Sequence, residues 1–209
     1  MAPGYPALHA IVDVDASERS GWDPSRLAAA FLDGGARFLQ IRGKQLPADR
    51  LLTLCEDVVR RAEPYGASVI VNDRADVARM SGAHGVHVGQ DDLPPLAARH
   101  LVGSDAIVGY STHSIVQIDN AVALPVSYIA VGPVFATTSK KTGYDAVGLE
   151  LVAEAAVRAG CPVVAIGGIT LATAGAVLAA GATAVAIIGD LLATGDPRRR
   201  VEEYVRELG

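Results

Sequence analysis

Two stretches of this chain end apolar runs in side chains that can do chemistry. Val69-Ile70-Val71 breaks into Asn72-Asp73-Arg74, and Val86-His87-Val88 breaks into Gly89-Gln90-Asp91-Asp92. A short β-branched run suits a strand buried on both faces. Polar residues at its end then project from the carboxyl edge of a parallel sheet, where ligands bind. Asp73 and Asp92 lie nineteen residues apart, a spacing that could bring two carboxylates together across neighbouring strands. Hard oxygen ligands of that kind suit Mg²⁺, which takes one or two carboxylates and completes its shell with water and phosphate oxygens. Taken singly, each acid reads equally well as a helix cap, Asp73 for a helix starting near Ala75 and Asp91 or Asp92 for one near Pro94. As a pair beside basic residues they favour the metal.

Other run ends carry cations, hydroxyls and glycines. In Leu39-Gln40-Ile41-Arg42-Gly43-Lys44, alternation places Gln40, Arg42 and Lys44 on one side. Two converging cations suit a multiply charged anion, with arginine supplying bidentate geometry. Gly109-Tyr110-Ser111-Thr112-His113 offers hydroxyls and an imidazole without an evident base–nucleophile partner, so a Ser/His/Asp triad is not indicated. His113 reads as a hydrogen-bonded wall residue and His87 as a satisfied core histidine. After Val131-Gly132-Pro133-Val134-Phe135, the loop Ala136-Thr137-Thr138-Ser139-Lys140-Lys141-Thr142-Gly143 has the composition of a phosphate-binding lid. Ala165-Ile166-Gly167-Gly168-Ile169-Thr170 and Ala186-Ile187-Ile188-Gly189-Asp190-Leu191 both end in glycine, and Leu191-Leu192-Ala193 could form a short extra helix. Such loops and a helix N-terminus make a recurring phosphate site. Asp190 would repel a phosphate there unless its side chain points away. One mouth thus divides into a diphosphate or metal half and a phosphate half, which suits two phosphorylated small molecules, or one carrying phosphate at both ends.

Eight apolar strand candidates must position these groups: Leu8–Val12, Phe38–Ile41, Ser68–Val71, Gly85–Val88, Ile107–Gly109, Tyr128–Val131, Val163–Ile166 and Ala184–Ile188. Helical periodicity lies between them. Asp23-Pro24 and Asp196-Pro197 read as N-cap and first helical residue, and Pro47 opens a longer helix that ends before Pro64 and Gly66. Gly35-Ala36, Gly66-Ala67, Gly82-Ala83 and Gly181-Ala182 each close a helix ahead of a strand. Eight βα units predict an α/β fold, a (β/α)₈ TIM barrel spanning 1–209 as one catalytic domain. A doubly wound sheet is the alternative, against which the first βα turn, Val12-Asp13-Val14-Asp15-Ala16-Ser17, lacks a glycine-rich fingerprint.

The composition narrows the partners. A formal charge of −5 over 209 residues argues against nucleic acid or an anionic membrane surface, so bound anions must be held by a local cluster. Cys55 and Cys161 make no disulfide framework and no zinc spacing. No signal peptide or membrane span is expected, and the cytoplasm is the default location. Homo-oligomerisation is left open.

The segments QIRGK, VNDRADVA, GVHVGQDDLP, GYSTHS, VGPVFATTSKKTGYDAVGLE and AIGGIT, in this order from about Phe38 to Ile188, resemble the thiamine-phosphate synthase family. The resemblance implies a (β/α)₈ barrel that joins a hydroxymethylpyrimidine diphosphate to a hydroxyethylthiazole phosphate, releasing diphosphate and forming thiamine phosphate. Matched residue by residue, it implies that Gln40, Ile41, Arg42, Gly43 and Lys44 hold the pyrimidine diphosphate, with Asn72 on the same substrate. Asp73 and Asp92 would bind Mg²⁺, and Ser111 and Lys140 would contact the diphosphate. Thr137, Thr138, Ser139, Gly168, Ile188 and Gly189 would hold the thiazole phosphate. Arg42, Lys44, Ser111 and Lys140 are the catalytic candidates. The implied course is ionisation of the diphosphate followed by capture of the pyrimidine methyl cation by the thiazole nitrogen. Ser139 stands where the family usually has threonine and Gly189 where serine is common. A thiazole tautomerase relative would not need the diphosphate clamp, and a non-catalytic phosphate-ligand sensor would not need the carboxylate pair.

Overall fold

Apolar runs that alternate between two buried faces dictate the architecture. The computed structural model describes residues 5–137 and 143–209. Its strands are β1 (Leu8–Asp13), β2 (Phe38–Arg42), β3 (Ser68–Asn72), β4 (Gly85–Val88), β5 (Ile107–Thr112), β6 (Tyr128–Val131), β7 (Val163–Ile166) and β8 (Ala184–Ile187). Each pairs in parallel with its successor, and β8 pairs with β1 through Leu8↔Val185, closing a barrel. The helices are α1 (Val14–Arg19), α2 (Pro24–Asp33), α3 (Ala48–Ala62), α4 (Ala75–Ser81), α5 (Pro95–Val102), α6 (Ile115–Ala121), α7 (Gly148–Arg158), α8 (Leu171–Ala179) and α9 (Pro197–Leu208). This is the (β/α)₈ barrel expected, not the doubly wound sheet. None of the helices described is long and apolar enough to cross a membrane.

The period of two assigns each strand residue to a layer. Leu39, Ile41, Val69, Val71, Val86 and Val88 pack outward with the helices. Ile11, Phe38, Ile70, Tyr128, Val164 and Ala184 point inward and plug the barrel. Both faces are buried, so each aliphatic contributes about 1.5–3 kcal/mol by leaving water. On α3, Leu51, Cys55, Val58 and Ala62 face the strands while Arg60 and Arg61 stay exposed, an apolar stripe at helical spacing. Asp23 and Asp196 cap α2 and α9 through the backbone N–H groups of Arg26 and Arg199, at 3.0 and 3.1 Å.

The strands extend beyond their apolar runs. β1, β2 and β3 each include one further polar residue, and β5 runs on to Thr112, because ladder pairing with neighbours (Asp13↔Arg42, Asn72↔His87, Ser111↔Ala130) holds residues that hydrophobicity excludes. β8 stops one residue early, at Ile187. The capping alternative for the two acids fails. Arg74 and Pro94 occupy the N-cap positions of α4 and α5, neither with a side-chain cap bond. Asp92 instead accepts the Gly89 N–H at 2.7 Å.

Candidate active site

At the carboxyl ends of the strands a cavity of about 330 Å³ opens. Gln40, Arg42, Asn72 and Ser111 reach it because their strand positions face inward. Arg42 arrives paired, its Nη1 donating to Asp13 Oδ2 in a buried contact. Within the Gln40–Lys44 segment the side chains divide. Ile41 points outward into the helix layer, so it can offer the cavity only its backbone. A Cβ on Gly43 would sit 3.2 Å from Leu46, so the close packing of Gly43 is against the chain itself and not the cavity.

At the rim, Asp73 and Asp92 stand within hydrogen-bonding reach of each other, and Lys44 Nζ lies 3.2 Å from Asp73 Oδ2. Burial and the neighbouring Asp92 raise the Asp73 pKa above the usual carboxylate value, against the pull of Lys44. Two facing carboxylates that resist joint ionisation suit a divalent cation, which removes their repulsion. Among the described residues no three His, Cys, Asp or Glu side chains cluster for a metal. A cation here would therefore take two protein carboxylates and fill its remaining positions with water or phosphate oxygens, as Mg²⁺ does.

The floor holds a relay that the sequence did not announce. His87 Nδ1 lies 2.9 Å from the Tyr128 hydroxyl and Nε2 lies 2.8 Å from Ser111 Oγ. Ser111 thus has a histidine partner, contrary to expectation, but the third group is a phenol instead of a carboxylate. Burial pushes the Tyr128 pKa well above 10, so its O–H stays protonated, and Gln40 bonds the same hydroxyl. In the tautomer whose Nδ1 accepts from Tyr128, the Nε2–H donates to Ser111 Oγ. Ser111 is left with its own proton to donate, which suits an anion and not nucleophilic attack. Gly109 makes this possible, since a Cβ there would lie 2.2 Å from the Tyr128 ring. His113 is the wall residue expected, donating from Nδ1 to the Gly132 carbonyl at 2.5 Å and stacking on Tyr144 at 3.8 Å.

Across the cavity stand Thr137, Gly167, Gly168, Ile188 and Gly189. Gly189 opens a 3₁₀ turn that ends at Leu191, so the short helix lies two residues ahead of the expected Leu191-Leu192-Ala193. Asp190 Oδ2 is turned to α8 and α9, accepting from Leu171 N at 3.1 Å, Arg200 Nη2 at 2.8 Å and the Tyr204 hydroxyl at 2.7 Å. Its charge is compensated there, which removes the objection to an anion beside Gly189. Thr138, Ser139 and Lys140 lie outside the described residues. Asp13 and Tyr128 escaped the sequence reading, although Asp13 follows an apolar run just as Asp73 does. Tyr128, inside an apolar strand, carried no signal.

The thiamine monophosphate synthase family model matches residues 8–191. The chain belongs to the thiamine monophosphate synthase family. Among members, a thiamine-phosphate synthase of Koribacter versatilis is 43% identical over 215 residues, covering 100% of this chain and 99% of that one. One of Anaeromyxobacter dehalogenans is 42% identical over 177 residues, 85% of this chain and 79% of its own. The solved thiamine phosphate pyrophosphorylase of Pyrococcus furiosus superposes with a TM-score of 0.86 at 29% identity, over 97% of this chain and 96% of that one. Family membership and barrel geometry therefore agree along nearly the whole chain.

Proposed function

We propose that this cavity joins 4-amino-2-methyl-5-hydroxymethylpyrimidine diphosphate to 4-methyl-5-(2-hydroxyethyl)thiazole phosphate, all 209 residues serving one catalytic domain. The chain is a thiamine-phosphate synthase, forming thiamine phosphate and releasing diphosphate. The observation that carries the assignment of roles is a cavity lined by Arg42 and by the Gly168 and Gly189 turns, with Lys44, Asp73 and Asp92 gathered at the ends of the neighbouring strands.

Arg42, Lys44 and Lys140 hold the diphosphate, with the Ser111 proton donated to it. Gln40 and Asn72 address the pyrimidine ring. Asp73 and Asp92 hold Mg²⁺, which offsets negative charge on the leaving diphosphate when bound. Thr137, Thr138, Ser139 and the Gly168, Ile188 and Gly189 backbone hold the thiazole phosphate. The C–O bond to diphosphate breaks with its electron pair leaving on oxygen, and the thiazole nitrogen lone pair then forms the C–N bond. No proton is abstracted, so the saturated bonding of His87 is no obstacle. Cations fixed around the departing group stabilise charge that grows in the transition state. Binding both partners in one cavity supplies proximity and keeps water from the cation.

Incubating the purified protein with both substrates and Mg²⁺ tests this. Thiamine phosphate should form in step with diphosphate. Isomerised thiazole phosphate without diphosphate release would indicate a tautomerase, and binding without turnover a sensor; either overturns the proposal.

A further inference from the structure

Arg42 faces the cavity with its charge already engaged. Its partner Asp13 is 2% exposed and stands opposite it in the β1–β2 register. Asp13 is anchored twice more. Its Oδ1 accepts the Ala16 N–H at 2.9 Å, capping α1, and its carbonyl accepts the Ser17 hydroxyl at 2.6 Å. The Arg42 Nε–H is buried and has no acceptor among the described residues. The protein thus gives a buried guanidinium one fixed carboxylate and leaves an N–H unmet beside an anion cavity.

We propose that Asp13 sets how tightly the cavity holds diphosphate, by competing with the anion for the charge of Arg42. This rests on the reading of the cavity as a diphosphate site. Asp13 is a positioning residue: it fixes the guanidinium plane by one hydrogen bond, and its negative charge trims the attraction on the cavity side. Without that charge, Arg42 would be a buried cation lacking compensation, and an arriving anion would supply what is missing. An enzyme that must release diphosphate each turnover gains from such moderation, because release of a tightly held product limits the rate. The competition is reciprocal, since two groups coupled through a third alter each other's free energy equally.

The test is Asp13→Asn, which keeps one carbonyl oxygen to cap α1, asparagine capping as well as aspartate, and puts an uncharged amide nitrogen where Oδ2 accepted from Arg42, removing the charge. Wild type and variant are titrated calorimetrically with inorganic diphosphate and Mg²⁺. The variant should bind diphosphate roughly tenfold more tightly, within the usual range of coupling between sites. Diphosphate should also raise its Tm more than it raises that of wild type, while KM for the thiazole phosphate stays unchanged. Equal or weaker diphosphate binding overturns the inference and leaves Asp13 as an anchor for α1. If the variant does not fold alone, a melt with diphosphate present decides: restored folding supports the competition, and no restoration overturns it. Arg42→Gln separates the two levels. Wild type that fails to bind diphosphate, or binds it no better than Arg42→Gln, overturns the site reading and this inference together. Loss on Arg42→Gln with no gain on Asp13→Asn overturns this inference alone.

Discussion

Asp73 occupies a left-handed backbone conformation, φ 64°, which among non-glycine residues asparagine and aspartate tolerate best. Asp73→Asn is therefore conformationally mild and isolates the charge. A carboxyl whose pKa is raised in the folded state binds protons more readily folded than unfolded. Its contribution then favours folding at low pH and turns unfavourable as pH rises through the folded value. Metal-free Asp73→Asn should thus be more stable than wild type at neutral pH, while Mg²⁺-dependent turnover falls ~100-fold, the several kcal/mol expected of a lost metal contact. Thermal melts in chelator and steady-state rates check both halves, and a less stable variant with normal turnover would sink the pairing. His87 offers a second case. His87→Phe removes the bonding partner of both Ser111 and Tyr128, so kcat should fall about tenfold with a stability loss of roughly 1–3 kcal/mol. KM for the thiazole phosphate should not move, and a selective rise in it would place His87 on the other substrate.

Among the elements, the turn after β7 shows how a loop's shape is set by its neighbour. Gly168 has φ 65°, and a Cβ there would lie 2.6 Å from the Ala136 carbonyl oxygen and 2.8 Å from Phe135 Cβ. Gly82 has a similar φ of 70° with nothing within 4 Å. Gly82→Ala should cost about 1–2 kcal/mol, the penalty of the left-handed conformation alone. Gly168→Ala should cost more, since it also pushes on the segment that follows β6, and it should weaken thiazole phosphate binding while Gly82→Ala does not. Chemical denaturation and calorimetric titration of the two variants side by side make the comparison. Equal costs would mean that the contact between the β6 and β7 ends is loose.

For the whole molecule, a histidine buried inside the barrel contributes to the acid response of the fold. His9 stacks on Phe38 with ring centroids 3.7 Å apart, and burial, followed by the nearby His87, lowers its pKa to about 3. A histidine held neutral in the folded state contributes stability above its unfolded pKa near 6.5. That contribution is lost as pH falls toward 3, because the unfolded chain takes up the proton first. The loss over the window is on the order of 4 kcal/mol. His9→Phe should flatten the stability profile between pH 6.5 and 3 by about one proton, as read from denaturant melts at a series of pH values. A slope identical to wild type would show that other groups drive acid unfolding.

Alternation and run length made the barrel legible from residues alone, because a strand buried on both faces must be apolar throughout and must break where it leaves the core. The same alternation brought Gln40, Arg42 and Asn72 to the cavity, and it equally turns Ile41 outward into the helix layer. Asp73 and Asp92 could be paired in advance because neighbouring parallel strands bring equivalent ends together. What the chain could not reveal was which side chains meet around the barrel. Asp13 finds Arg42 across 29 residues, and Tyr128 finds His87 across 41. Those meetings depend on the relative stagger of eight strands, which is settled when the sheet closes and every inward layer must be filled at once. The direction of Asp190 depends likewise on where α9 docks, since Arg200 and Tyr204 draw the carboxylate from the cavity. Local sequence determines which residues stand at the mouth, and closure of the barrel determines which of them touch.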